Sequence, residues 1–170
     1  MLKKISMMVV ALTMAIAAQA QYSNNRLTPF YEDKYYVGAS FTGFDLNYSG
    51  LEDFKLGVSA QAGYFLFDNW MASGQIAYNS NGKAPDYFSL GAGLRYYIEQ
   101  NGLFLGANVN YLHANTNFND VQPGIEVGYA YFLSRTVTVE PSVYYHQSFK
   151  DHSNYSNLGF KITFGIYLND

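Results

Sequence analysis

Between Asn157 and Leu168 the residue type changes at every step. Leu158, Phe160, Ile162, Phe164, Ile166 and Leu168 fall on one side, and Asn157, Gly159, Lys161, Thr163, Gly165 and Tyr167 on the other. A two-residue period belongs to an extended strand; a helix would smear both sets around its surface. The sorting also fixes the surroundings, because one face must meet an apolar medium and the other a small or polar one.

The same split recurs along the chain, and from Tyr35 onward no helical periodicity outlasts two turns. Leu56, Val58, Ala60, Ala62, Tyr64 and Leu66 alternate with Lys55, Gly57, Ser59, Gln61, Gly63 and Phe65. Further alternating segments cover 87–98, 103–112, 124–131 and 137–146, while 35–46 and 71–79 fit more loosely. That makes eight strands. Tight turns are expected at Phe67-Asp68-Asn69-Trp70, Glu99-Gln100-Asn101-Gly102 and Leu133-Ser134-Arg135-Thr136. Longer polar connections are expected around 47–53, 80–86, 114–120 and 149–154, rich in Asn, Ser, Gly and Asp. Short turns at one end and longer loops at the other describe a meander of hairpins whose ends face different compartments. The expected fold is all-β, an eight-stranded antiparallel up-and-down barrel with both termini at the short-turn end.

Which face meets lipid decides between a soluble and a transmembrane barrel. A soluble barrel that binds a small apolar ligand keeps its apolar residues inside. Here the face opposite the apolar one carries ten of the fifteen glycines, at 38, 57, 63, 91, 93, 106, 124, 128, 159 and 165. It also carries Lys55, Gln61, Arg95, Asn108, Asn110, Glu126, Glu140 and Lys161. Glycines facing water would only weaken the strands, whereas in a narrow lumen they make room for long side chains opposite. The other face is Leu, Val, Ile, Ala, Phe and Tyr, with tyrosines toward the strand ends as in an interfacial girdle. This assignment expects a transmembrane barrel with Arg95–Glu140 and Glu126–Lys161 contacts inside it, since a lone buried charge costs several kcal/mol. An eight-stranded interior is just wide enough to be filled by side chains, so little or no pore activity is expected.

The leader fits that destination. Lys3 and Lys4, the apolar run Ile5 to Ala18 and the Ala18-Gln19-Ala20 site predict a signal peptide over 1–20, cleaved between Ala20 and Gln21. A short periplasmic segment over 21–34 and a barrel over 35–170 follow. Without Lys3 and Lys4, eight basic residues face thirteen acidic ones. That acidic balance argues against a nucleic-acid partner. With no cysteine there is no disulfide framework, thiolate metal site or lipidated thiol.

On these residues the chain resembles the small eight-stranded outer-membrane barrels of Gram-negative bacteria, the OmpA transmembrane domain, OmpX and opacity-like family. The resemblance implies a cell outer-membrane protein in contact with membrane lipid and lipopolysaccharide. Its role would be structural or surface-interacting, in envelope integrity, adhesion or binding of an extracellular partner through the loops. It also implies that Lys55, Arg95, Glu126, Glu140 and Lys161 form a structural lumen network. Asn157 to Phe164 resembles the signal read by the barrel-assembly machinery, with Asn157, Gly159, Phe160, Ile162 and Phe164 in the matching places. The chain departs from that pattern by ending on Leu168-Asn169-Asp170 rather than on an aromatic residue.

Catalysis has one candidate. His146-Gln147-Ser148 resembles the His-x-Ser of the lipid A deacylases, whose triad a Glu on the next strand completes. Here the next strand offers no carboxylate before Asp170, and His146 falls on the lumen side. A serine without an oriented base is a poor nucleophile, so no enzyme is expected. His113 and His152 fall at loop edges, and Asp45, Glu52, Asp53 and Asp120 read as solvated loop acids. None of these has metal-ligand spacing, and no cofactor is expected.

Overall fold

A computed structural model describes residues 30–47, 52–53, 56–81, 84–98, 101–114, 118–150 and 156–168. The signal segment, the Ala20–Gln21 site, Lys55 and His152 lie outside the described residues.

Eight long strands follow one another: β1 (Tyr35–Asn47), β2 (Leu56–Phe67), β3 (Trp70–Asn81), β4 (Ala84–Tyr97), β5 (Leu103–Ala114), β6 (Phe118–Tyr129), β7 (Val137–His146) and β8 (Asn157–Leu168). Each pairs antiparallel with its sequence neighbours, and β8 pairs with β1 from Tyr35↔Leu168 to Asn47↔Asn157. That seam closes the sheet into a barrel. Two-residue ladders add to it: Glu52–Asp53 on β1 and Tyr131–Phe132 on β7.

Alternation becomes two surfaces. Along β8 the odd residues from Gly159 to Tyr167 are buried, and the even ones from Leu158 to Leu168 are exposed. The outer wall displays Val37, Leu90, Val109, Ile125 and Val143 among many large apolar side chains. Inside, glycines leave room for their neighbours. A Cβ on Gly165 would stand 2.6 Å from Thr138 Oγ1 and 2.7 Å from the Tyr36 ring, and one on Gly38 would stand 2.6 Å from the Tyr36 hydroxyl.

Two expectations are corrected. The connections expected over 80–86 and 114–120 are largely strand, because Asn81 pairs with Ala84 and Ala114 with Phe118. Polar residues there continue the backbone ladder beyond the apolar belt. The sixth strand starts earlier than 124 and stops at Tyr129, where the Ala130 N–H turns to the Gly102 carbonyl at 2.8 Å. Gly102 has a φ of 73°, and a Cβ there would lie 2.7 Å from the Ala130 oxygen, so the turn requires glycine. The inward face also carries the aromatic side chains, Phe65 and Tyr167 among them, that alternation puts there. Tyr36, Phe65, Met71, Tyr97, Phe104 and Tyr167 point inward and form an apolar core near the short-turn end.

Candidate functional site

The interior is built in layers, starting from that aromatic core. Phe30, before the first strand, lies on it with its ring 4.2 Å from that of Tyr97. The Tyr36 and Tyr167 rings meet edge to face at 5.0 Å, with their hydroxyls turned toward a carboxylate. Aromatic rings fill the tapering end, and their polar tips serve the next layer.

That layer is an ion-pair network. Glu140 on β7 is fully buried. One carboxylate oxygen accepts from Thr138 Oγ1 at 2.8 Å and the Tyr167 hydroxyl at 2.9 Å. The other accepts from Arg95 Nη1 at 2.9 Å and the Tyr36 hydroxyl at 3.0 Å. Arg95 on β4 turns its second nitrogen to Glu126 Oε1 and Gln61 Oε1, both at 3.2 Å. Lys161 on β8 then donates to the remaining Glu126 oxygen at 3.0 Å. The Arg95 guanidinium also lies over the Phe104 ring, 4.1 Å from its centre. Two cations and two carboxylates thus form one neutral chain across the lumen. In a low-dielectric interior, that many partners are what allow four charges to stay buried.

The structure brings Arg95, Glu126, Glu140 and Lys161 together, with both the Arg95–Glu140 and the Glu126–Lys161 contacts. It adds an Arg95–Glu126 contact that joins the pairs into one unit. Lys55 lies outside the described residues. Sequence reasoning passed over Tyr36, Gln61, Thr138 and Tyr167 as carboxylate and guanidinium partners. Their inward parity was the available signal. Phe30 belongs to no strand and gave none.

Above the charges lies an amide layer. Gln75 Nε2 donates to Asn110 Oδ1 at 2.6 Å, and Asn110 Nδ2 lies 3.1 Å from Asn108 Oδ1 and 2.9 Å from His146 Nε2. Beyond it Asp120 is buried, not solvated as its sequence position suggests. It accepts from the Ser148 hydroxyl, from Gln122 Nε2 at 3.3 Å and from the Val121 N–H at 2.9 Å. A carboxylate from β6, on the preceding rather than the following strand, therefore reaches Ser148. The serine donates to it directly, while His146 faces Asn110, so the three do not form the relay in which an imidazole stands between acid and nucleophile. Among the described residues no three His, Asp or Glu cluster to hold a metal ion, and no helix is long and apolar enough to cross a membrane.

Closed strand order, an apolar outer wall and a charged interior place the architecture. The fold is that of the small outer-membrane β-barrels. Neisserial surface protein A superposes with a TM-score of 0.60 at 16% identity, over 81% of this chain and 97% of its own. The N-terminal β-barrel domain of Pseudomonas aeruginosa OprF gives 0.57 at 12% identity, over 81% and 98%. The Yersinia pestis outer-membrane protein Ail, in a phospholipid bilayer nanodisc, gives 0.56 at 12% identity, over 81% and 100%. No protein-family model and no curated protein sequence matches the chain.

Proposed function

We propose that this chain is an integral outer-membrane protein whose barrel is a closed scaffold. Its role is structural and interfacial: envelope integrity, adhesion or binding of an extracellular partner by the connections at the end away from the short turns. The observation that carries the reading is the inversion of a soluble protein. Large apolar side chains such as Leu90, Ile125 and Phe164 cover the outside, while Arg95, Glu126, Glu140 and Lys161 lie within. An apolar wall of this extent in water would be an aggregation surface; against lipid and lipopolysaccharide it is a solvent-matched one. The likeness of fold to barrels that include a nanodisc-embedded one supports the same reading. Asn157 to Phe164, on the closing strand, would be the segment the assembly machinery reads.

Membrane separation tests this. The protein should sediment with outer-membrane lipopolysaccharide and resist extraction until detergent is added; release as a detergent-free soluble protein overturns the reading. In planar bilayers it should give no steady single-channel conductance, because three polar or aromatic layers fill the lumen. Overexpression should leave the mass of lipid A unaltered, whereas a modified lipid lost on Ser148→Ala would assign enzymatic activity instead.

A further inference from the structure

The most unusual residue of the described chain is Phe30, a core side chain supplied from outside the barrel strands. Its ring is 2% exposed. It stacks on Tyr97 of β4 at 4.2 Å and also meets Tyr167 of β8, Phe65 of β2 and Phe132 after β6, with centroids 5.7, 6.2 and 5.7 Å away. Backbone bonds tie its segment across the β2–β3 turn like a bound peptide. The Asn69 N–H donates to the Phe30 carbonyl at 2.7 Å, the Asp33 N–H to that of Phe65 at 3.0 Å, and the Phe65 N–H to that of Lys34 at 2.9 Å. The Glu32 N–H donates to the Asp68 carboxylate at 2.9 Å. To let Phe30 reach the lumen while Tyr35 enters β1, Asp33 takes a φ of 66°, a left-handed conformation unusual outside glycine.

The four rings come from the second, fourth and last strands and from the link before the seventh. Phe65 and Tyr97 share the β1–β4 side of the sheet, and Tyr167 and Phe132 lie beside them across the β8–β1 seam. Tyr167 takes its place only when β8 has paired with β1. The pocket is therefore complete only in the closed barrel.

We propose that the short-turn end of the barrel is a receptor for an aromatic side chain on a peptide that turns back beside it, and that Phe30 is its ligand in cis, docking after the seam closes and locking it. An interaction made only after closure is absent from the folding transition state. Its loss then accelerates unfolding and leaves folding nearly untouched.

The test is the pair of folding and unfolding rates of the full chain in detergent. Phe30→Ala should raise the unfolding rate about tenfold or more while changing the folding rate by less than about twofold. Folding slowed by as large a factor as unfolding is accelerated would overturn the order of events; an unfolding rate equal to wild type would overturn the lock itself. Should Phe30→Ala fail to fold, Phe30→Leu retains volume without the stacking ring and reads the same ratio. Trypsin gives a second measure on the folded protein. Cleavage after Lys34 should be slow in wild type and faster in Phe30→Ala, with the barrel keeping its unboiled gel mobility. Rapid wild-type cleavage there, with the barrel still folded, would contradict docking.

Discussion

Glu140 sets the terms at the scale of the residue. Each of its oxygens accepts two hydrogen bonds, and the donors come from β1, β4, β7 and β8. Removing a partner leaves buried charge behind, which costs more than the pair contributed. Arg95→Ala strands two carboxylates and should lower the unfolding free energy in detergent by about 3–5 kcal/mol. Among the described acids Lys161 touches Glu126 alone, with its side chain 10% exposed, so Lys161→Ala should cost less. A thermal midpoint unchanged by Lys161→Ala would refute a structural role for the network. A double-mutant cycle on Arg95 and Glu140 should give a large coupling, with each single variant nearly as damaging as both together.

At the scale of the element, the strands answer to parity and the turns to backbone geometry. Gly165 on β8 faces Thr138 and the Tyr36 ring, so Gly165→Val drives methyl groups into the aromatic and hydroxyl partners of Glu140. Overpacking of this kind should cost about 1–3 kcal/mol, read as a lower midpoint with the strand order kept. Gly102→Ala adds a left-handed strain of about 1–2 kcal/mol to the collision with the Ala130 carbonyl. The sides of β8, β4 and β5 were legible because both their media sort residues strongly. Strand ends were not: Ser80, Asn81, Asn119 and Asp120 are turn-like in composition, yet beyond the apolar belt a ladder needs only backbone pairing. The inward tyrosines were visible by parity. Their role was not, because Tyr serves equally in an outer girdle, as Tyr35 and Tyr131 show by their exposure, and in a lumen, as Tyr97 and Tyr167 do.

For the whole molecule, stability and function separate by surface. The lumen is committed to holding the cylinder together: aromatic rings at one end, four charges in the middle, amides and the Asp120–Ser148 contact beyond. Among the described residues these layers fill the lumen, and in the proposed role the outer wall meets lipid. Under that proposal, specific recognition falls to the ends. Closure itself was readable from the sequence, since eight alternating segments with one apolar face must bury their edges in each other. The sealing of the short-turn end was not, because Phe30 acts through tertiary stacking and no local period marks it.

In the proposed role the protein is a closed barrel whose apolar wall meets lipid. This reading is tested most directly by gel mobility of the detergent-extracted envelope protein, run unboiled and boiled. A compact, faster-migrating band should appear and shift to the unfolded position only on heating, since a hydrogen-bonded cylinder resists cold SDS. A single mobility in both lanes, from a protein that needs no detergent to stay in solution, would contradict it and return the apolar face to the inside.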